Sequence, residues 1–149
     1  MEHNKETIST LNSLIETCED GATGFRAAAE AVDVGAIKGM FKTYAGEREQ
    51  FATDLRGEVR KLGGDPEEGG SVSGAMHRGW LDLKGAVAGR SVSAIVAEAE
   101  RGEDKAVETY EKARQADMPV EVRAVVERQY TQVKAAHDRV RDLEKRMSE

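Results

Sequence analysis

The stretch GGDPEEGGSVSGAMHRGWLDLKGAVAGR, residues 63–90, decides how the chain folds, because both flanks read as paired helices. It opens as a loop, Gly63-Gly64-Asp65-Pro66-Glu67-Glu68-Gly69-Gly70. It continues into an apolar-periodic piece, Val72, Met76, Trp80, Leu83 and Val87, which predicts a short helix over 71–88. Upstream, spacings of three and four predict two helices. One spans 4–32, through Ile8, Leu11, Ile15, Cys18, Ala22, Phe25, Ala29 and Val32. The other spans 35–62, through Ile37, Phe41, Tyr44, Phe51, Leu55, Val59 and Leu62, and stops at Gly63-Gly64. Downstream, a helix over 91–116 runs through Ile95, Ala99, Gly102, Ala106, Tyr110 and Ala113, with Ser91 or Ser93 as its cap. A last helix over 118–147 runs through Val122, Val126, Val133, Val140 and Met147, with Pro119 in its first turn.

Only a few residues join the first helix to the second, around Asp33-Val34-Gly35, and the third to the fourth, around Asp117. Links that short make each pair an antiparallel hairpin. The crossover at 63–90 is far longer than a turn. It is long enough to travel the height of the bundle, about 40 Å at roughly 1.5 Å per helical residue. The second and third helices therefore run parallel. The expected fold is all-α, a ferritin-like four-helix bundle of two antiparallel hairpins with a short extra helix in its crossover. Met76 and Trp80 are expected to pack that helix over a groove of the bundle, with His77 beside them in a structural hydrogen bond.

Composition agrees. The 149 residues suffice for one domain, 1–149, and are too few for two. A chain 39% hydrophobic, 34% charged and 5% aromatic, with 2 prolines, suits long amphipathic helices rather than a sandwich of strands. The net charge of −6, with both signs interspersed, argues against a nucleic-acid partner. No stretch approaches the ~20 apolar residues of a membrane span. The start of the chain has no apolar secretory core, so the expected location is cytoplasmic. The single cysteine, Cys18, lies on the apolar stripe of the first helix and reads as a small buried hydrophobe.

A carboxylate di-metal centre in such a bundle needs a Glu from each of two helices and a Glu-x-x-His pair from each of the others. The chain has 28 acidic residues but only 3 histidines, and only His137 falls in a bundle helix. On the first helix, Glu16 and Asp20 fall opposite the apolar stripe. On the second, Glu47-Arg48-Glu49-Gln50 puts an arginine nearest the stripe. Glu103 points inward from the third helix, and Gln129, Tyr130 and His137 lean inward from the fourth. The standard centre cannot be built from these residues. Arg48 and Glu103 lie at similar heights near mid-bundle, so a core polar network is expected there: an Arg48–Glu103 ion pair, with Glu47, Gln129 and Tyr130 completing its hydrogen bonds.

The chain resembles, over nearly its whole length, the bacterial "domain of unknown function 2383" proteins of the ferritin-like superfamily. The residues that carry the resemblance begin with Leu14-Ile15-Glu16, Asp20-Gly21, Gly24-Phe25, and Glu47-Arg48 with Phe51. They continue through Gly63-Gly64-Asp65-Pro66, Gly70-Ser71-Val72, Gly74 and His77-Arg78-Gly79-Trp80. The last are Glu100-Arg101-Gly102-Glu103-Asp104 and Ala136-His137-Asp138. The resemblance implies the fold and a bacterial origin. It transfers no activity, since the family offers no catalytic residues to carry over.

The expectation for function is a non-catalytic bundle that acts by self-association or partner binding, with a homodimer as the assembly and a stress response as a candidate setting. No nucleophile–base constellation suggests an enzyme, and the glycine-rich loop at 69–74 lacks the lysine and spacing of a phosphate-binding loop. No cofactor is expected. The alternative is a non-standard carboxylate-rich site for iron or manganese, with Glu47, Glu58, Glu103 and His137 as ligands. A third reading is a small-ligand carrier that uses the groove under the crossover helix, lined by Met76 and Trp80.

Overall fold

The computed structural model describes residues 2–66 and 91–148. Among them are four helices and no strand: α1 (Glu2–Ala31), α2 (Gly35–Lys61), α3 (Val92–Arg114) and α4 (Val120–Ser148). Their ends fall within two residues of those predicted. The proposed helix over 71–88, with Met76, His77 and Trp80, lies outside the described residues.

Local chemistry ends each helix where the sequence punctuates it. Lys38 Nζ donates to the Ala29 carbonyl at 2.8 Å and so covers the C-terminus of α1. At the end of α2, Gly63 takes the left-handed conformation, with φ of 81°. Gly63 N–H then donates to Arg60 O and Gly64 N–H to Val59 O, each at 3.0 Å, which closes a Schellman motif. Gly64 also lies flat against α1, where a Cβ would meet the Ile8 side chain at 2.7 Å. Ser91 caps α3, its hydroxyl accepting from Ala94 N–H. Arg123 reaches back to the Arg114 and Ala116 carbonyls, both at 2.7 Å, and satisfies the end of α3. Pro119 precedes α4 rather than lying inside it, and its carbonyl accepts from Arg123 N–H.

Helix α1 packs on α2 and on α3, and α4 packs on α3 and on α2. The α2 and α3 backbones stand apart across the diagonal. Thr7, near the start of α1, donates to Asp117 O beside the end of α3, and Asn12 donates to Asp65 O just beyond the end of α2. Both α2 and α3 thus end at the same end of the bundle and run parallel, as the long crossover requires.

The apolar interior falls into two clusters. One, toward the α1–α2 turn, includes Phe25, Val32, Phe41, Ile95, Ala99 and Val140. The other, toward the α3–α4 turn, includes Leu11, Ile15, Leu55, Val59, Tyr110, Val126 and Val133. Between them lies a layer of charge. Among the fully buried side chains are Arg48 and Glu103.

Helix α1 departs from a simple stripe. Asp20, expected to face away from the core, is only 2% exposed. The reason is that α1 is enclosed over most of its circumference, with Leu14, Thr17, Cys18, Asp20, Gly21, Ala22 and Phe25 all buried. A single apolar stripe does not describe a helix that packs on two neighbours at once.

Gly21 sits where the charged layer needs space. A Cβ there would meet Arg48 Nη1 at 3.1 Å. Gly21→Val is therefore expected to destabilise the fold by roughly 1–3 kcal/mol through overpacking. Gly46→Ala, on an exposed face of α2 with nothing within 4 Å, is expected to stabilise by up to about 1 kcal/mol. Urea denaturation of the two variants checks both signs.

Candidate functional site

The centre of the bundle is an ion pair between diagonally opposed helices. Arg48 Nη1 donates to Glu103 Oε2 at 2.8 Å, and Arg48 Nη2 donates to Glu103 Oε1 at 2.5 Å. The two side chains are 1% and 2% exposed, so both charges are withdrawn from water. Burial opposes the guanidinium's charge, but the Glu103 carboxylate outweighs that cost and raises the arginine's pKa above its ordinary value. The guanidinium carbon also lies 5.3 Å from the centre of the Phe25 ring. Arg48 Nε, though buried, has no hydrogen-bond acceptor among the described residues.

Beside the pair runs a chain of hydrogen bonds. Gln129 Nε2 donates to the Phe51 carbonyl at 3.3 Å, which turns Gln129 Oε1 toward Tyr110. Tyr110 donates its only hydroxyl proton to that oxygen at 2.8 Å. The contact of 3.0 Å between Cys18 Sγ and Tyr110 Oη is then donated by the thiol. Burial pushes the Cys18 thiol up to about 11, although the Tyr110 hydrogen bond and the Arg48 charge pull the other way. Burial, followed by the neighbouring Cys18, also pushes the Tyr110 phenol well above its ordinary range.

The residues expected to complete the ion pair are arranged differently. Gln129 is buried, but it bonds to Tyr110 and Phe51 and not to Arg48 or Glu103. Tyr130 turns outward: its hydroxyl donates to Glu111 at 3.4 Å and Arg114 stacks on its ring. Glu47 is half-buried beside the pair, and burial raises its carboxyl, with Arg48 pulling it back down. It makes no hydrogen bond to Arg48, because the adjacent position on a helix points about 100° away. Tyr110, read from sequence as part of an apolar stripe, belongs to the polar layer. Its position two turns beyond Glu103 on the same face was the available signal, since a buried phenol requires a partner.

Of the four residues considered as metal ligands, Glu47 lies near Glu103, but the set does not share one centre. Glu47 and Glu58 are 11 residues apart on α2, about 16 Å along the axis, and Glu58 is paired with Lys61. Glu103 is occupied by Arg48. His137 is buried at the seam between α3 and α4. There its Nε2 lies 2.5 Å from Asp104 Oδ1, and its Nδ1 lies 3.0 Å from Asp138 Oδ1. Burial works against the imidazolium, but the hydrogen bonds to Asp138 and Asp104 outweigh it and raise the His137 pKa. Lys134 in turn donates to Asp138 at 2.8 Å.

Comparison with known proteins follows the same lines. The family described as Domain of unknown function (DUF2383) matches residues 6–116. Comparison with curated proteins finds no match. Among solved structures the chain is similar to the bacterioferritin of Desulfovibrio desulfuricans, whose structure describes a diiron site in different catalytic states. The TM-score is 0.78 at 15% identity, with 99% of this chain and 82% of the bacterioferritin covered. At that identity the likeness is one of fold.

Arg48→Ala leaves Glu103 buried and unpaired, so it is expected to cost roughly 3–5 kcal/mol. Replacing both members, Arg48→Met with Glu103→Met, is expected to be neutral or even stabilising by up to about 4 kcal/mol. Denaturant titration of both proteins checks the contrast. For Cys18, whose pKa rises from 9.0 to about 11 on folding, the stabilisation is fully present below pH 9 and is lost as pH rises toward 11. The expected outcomes are a decline in unfolding free energy across that window and a thiol that reacts with an alkylating reagent only when the protein unfolds.

Proposed function

Since the chain belongs to the Domain of unknown function (DUF2383) family, we propose that it is a non-catalytic helical protein acting through its outer surface, by self-association as a homodimer or by binding a protein partner. The observation that supports this reading is the Arg48–Glu103 pair, which fills the mid-bundle space with two charges that neutralise one another. An arginine there repels a cation, and the Glu103 carboxylate is already bound. The alternative of iron or manganese at Glu47, Glu58, Glu103 and His137 loses support because Glu58 pairs with Lys61, Glu103 with Arg48, and His137 with Asp104 and Asp138. A cytoplasmic, bacterial setting, with a role under stress, fits this reading. No helix among the described residues is long and apolar enough to cross a membrane.

Sedimentation equilibrium over a wide concentration range tests the assembly. A reversible dimer is the expected result, and a strictly monomeric species throughout would remove self-association as the mode of action.

A further inference from the structure

The seam between α3 and α4 carries a cluster that the central polar layer does not use. Glu100 and Asp104 are four residues apart on α3 and so project from one face, where His137 meets them from α4. One carboxylate oxygen from each acid and one imidazole nitrogen all lie within 4.8 Å of one another. Behind the imidazole, Asp138 holds the opposite ring nitrogen at 3.0 Å. A carboxylate on the far nitrogen is the arrangement that fixes the tautomer and aim of a metal-ligating histidine. Asp138 is itself held by Lys134 at 2.8 Å. The His137 ring is nearly buried while Asp104 is 56% exposed. The cluster is thus buried on its inner side and open to solvent on its outer side.

We propose that Glu100, Asp104 and His137 form a site for a single divalent first-row transition cation of zinc's class, tying α3 to α4. The donor set decides the class. Two carboxylates alone would suit magnesium or calcium, whereas an imidazole nitrogen shifts preference toward zinc and its neighbours. Three protein ligands with water completing the shell is a common zinc arrangement. The cation spans the two helices of the second hairpin, and its binding energy adds to the stability of that pair. Glu100 and Asp104 flank Glu103 in sequence but turn outward from it, so the site does not compete with Arg48 for the same carboxylate. This inference goes beyond the proposed mode of action and does not depend on dimer formation.

Full-length protein freed of metal with a chelator, then titrated with Zn²⁺ by calorimetry and with Co²⁺ by visible absorption, tests the site. The expected result is one ion per chain, a rise in the thermal midpoint, and cobalt bands of low coordination number. Asp104→Asn and Glu100→Gln alter half-exposed or exposed side chains and should fold normally by circular dichroism, yet each should weaken zinc by tenfold or more. Asp138→Asn, which removes only the orienting carboxylate, should weaken it by about 10–100-fold. Absence of Zn²⁺ binding would overturn the proposal. So would unchanged affinity in Asp104→Asn, because the metal would then sit elsewhere, for example at His3 or His77.

Discussion

Arg48 and Glu103 meet across a diagonal of the bundle, between two helices whose backbones do not touch. Withdrawing both charges from water costs several kcal/mol per ion, and only close, two-pronged geometry offsets such a penalty. The surrounding structure is arranged to permit that geometry. Gly21 leaves space for the guanidinium, the Phe25 ring faces it, and the two apolar clusters close over it from either end. A hydrophobic pair of similar size could match its stability. What the charge pair adds is a directional, two-pronged contact between α2 and α3.

That constraint also bears on chemistry. A ferritin-like bundle offers inward positions at mid-height on all four helices, and carboxylates and histidines there can gather metal ions. In this chain the corresponding space holds one cation, one anion and the Cys18–Tyr110–Gln129 chain of hydrogen bonds. That chain runs from the Cys18 thiol through Tyr110 and Gln129 and ends on the Phe51 carbonyl. The architecture shared with bacterioferritin is therefore compatible with an interior organised for cohesion, and the fold alone carries no activity across. Groups able to bind a cation occur instead on the outer seam, where solvent can reach them.

Much of the fold could be read directly. Helix periodicity, the Gly63-Gly64 stop and the length of the 63–90 link together required parallel second and third helices. The placement of Arg48 opposite Glu103 followed from counting residues from the two hairpin turns. The partners of that pair were harder. Helical phase places a residue on a face but does not say which way a long side chain swings, so Tyr130 turned to Glu111 and Arg114 while Tyr110 took its place inside. Burial around α1 was misjudged at Asp20 because a periodicity argument assumes one packed face. The approach of Asp104 to His137 depends on the rotation of α3 against α4, a quantity that local sequence does not determine.

On the function proposed here, the Arg48–Glu103 pair closes the middle of this bundle by charge neutralisation, in place of a metal centre. Aerobic titration with ferrous iron, followed optically for oxidation, tests it most directly. The account predicts oxidation at the rate of buffer alone, unchanged by Glu103→Gln. Saturable acceleration that disappears in Glu103→Gln would contradict it, because Glu103 would then be serving iron rather than Arg48.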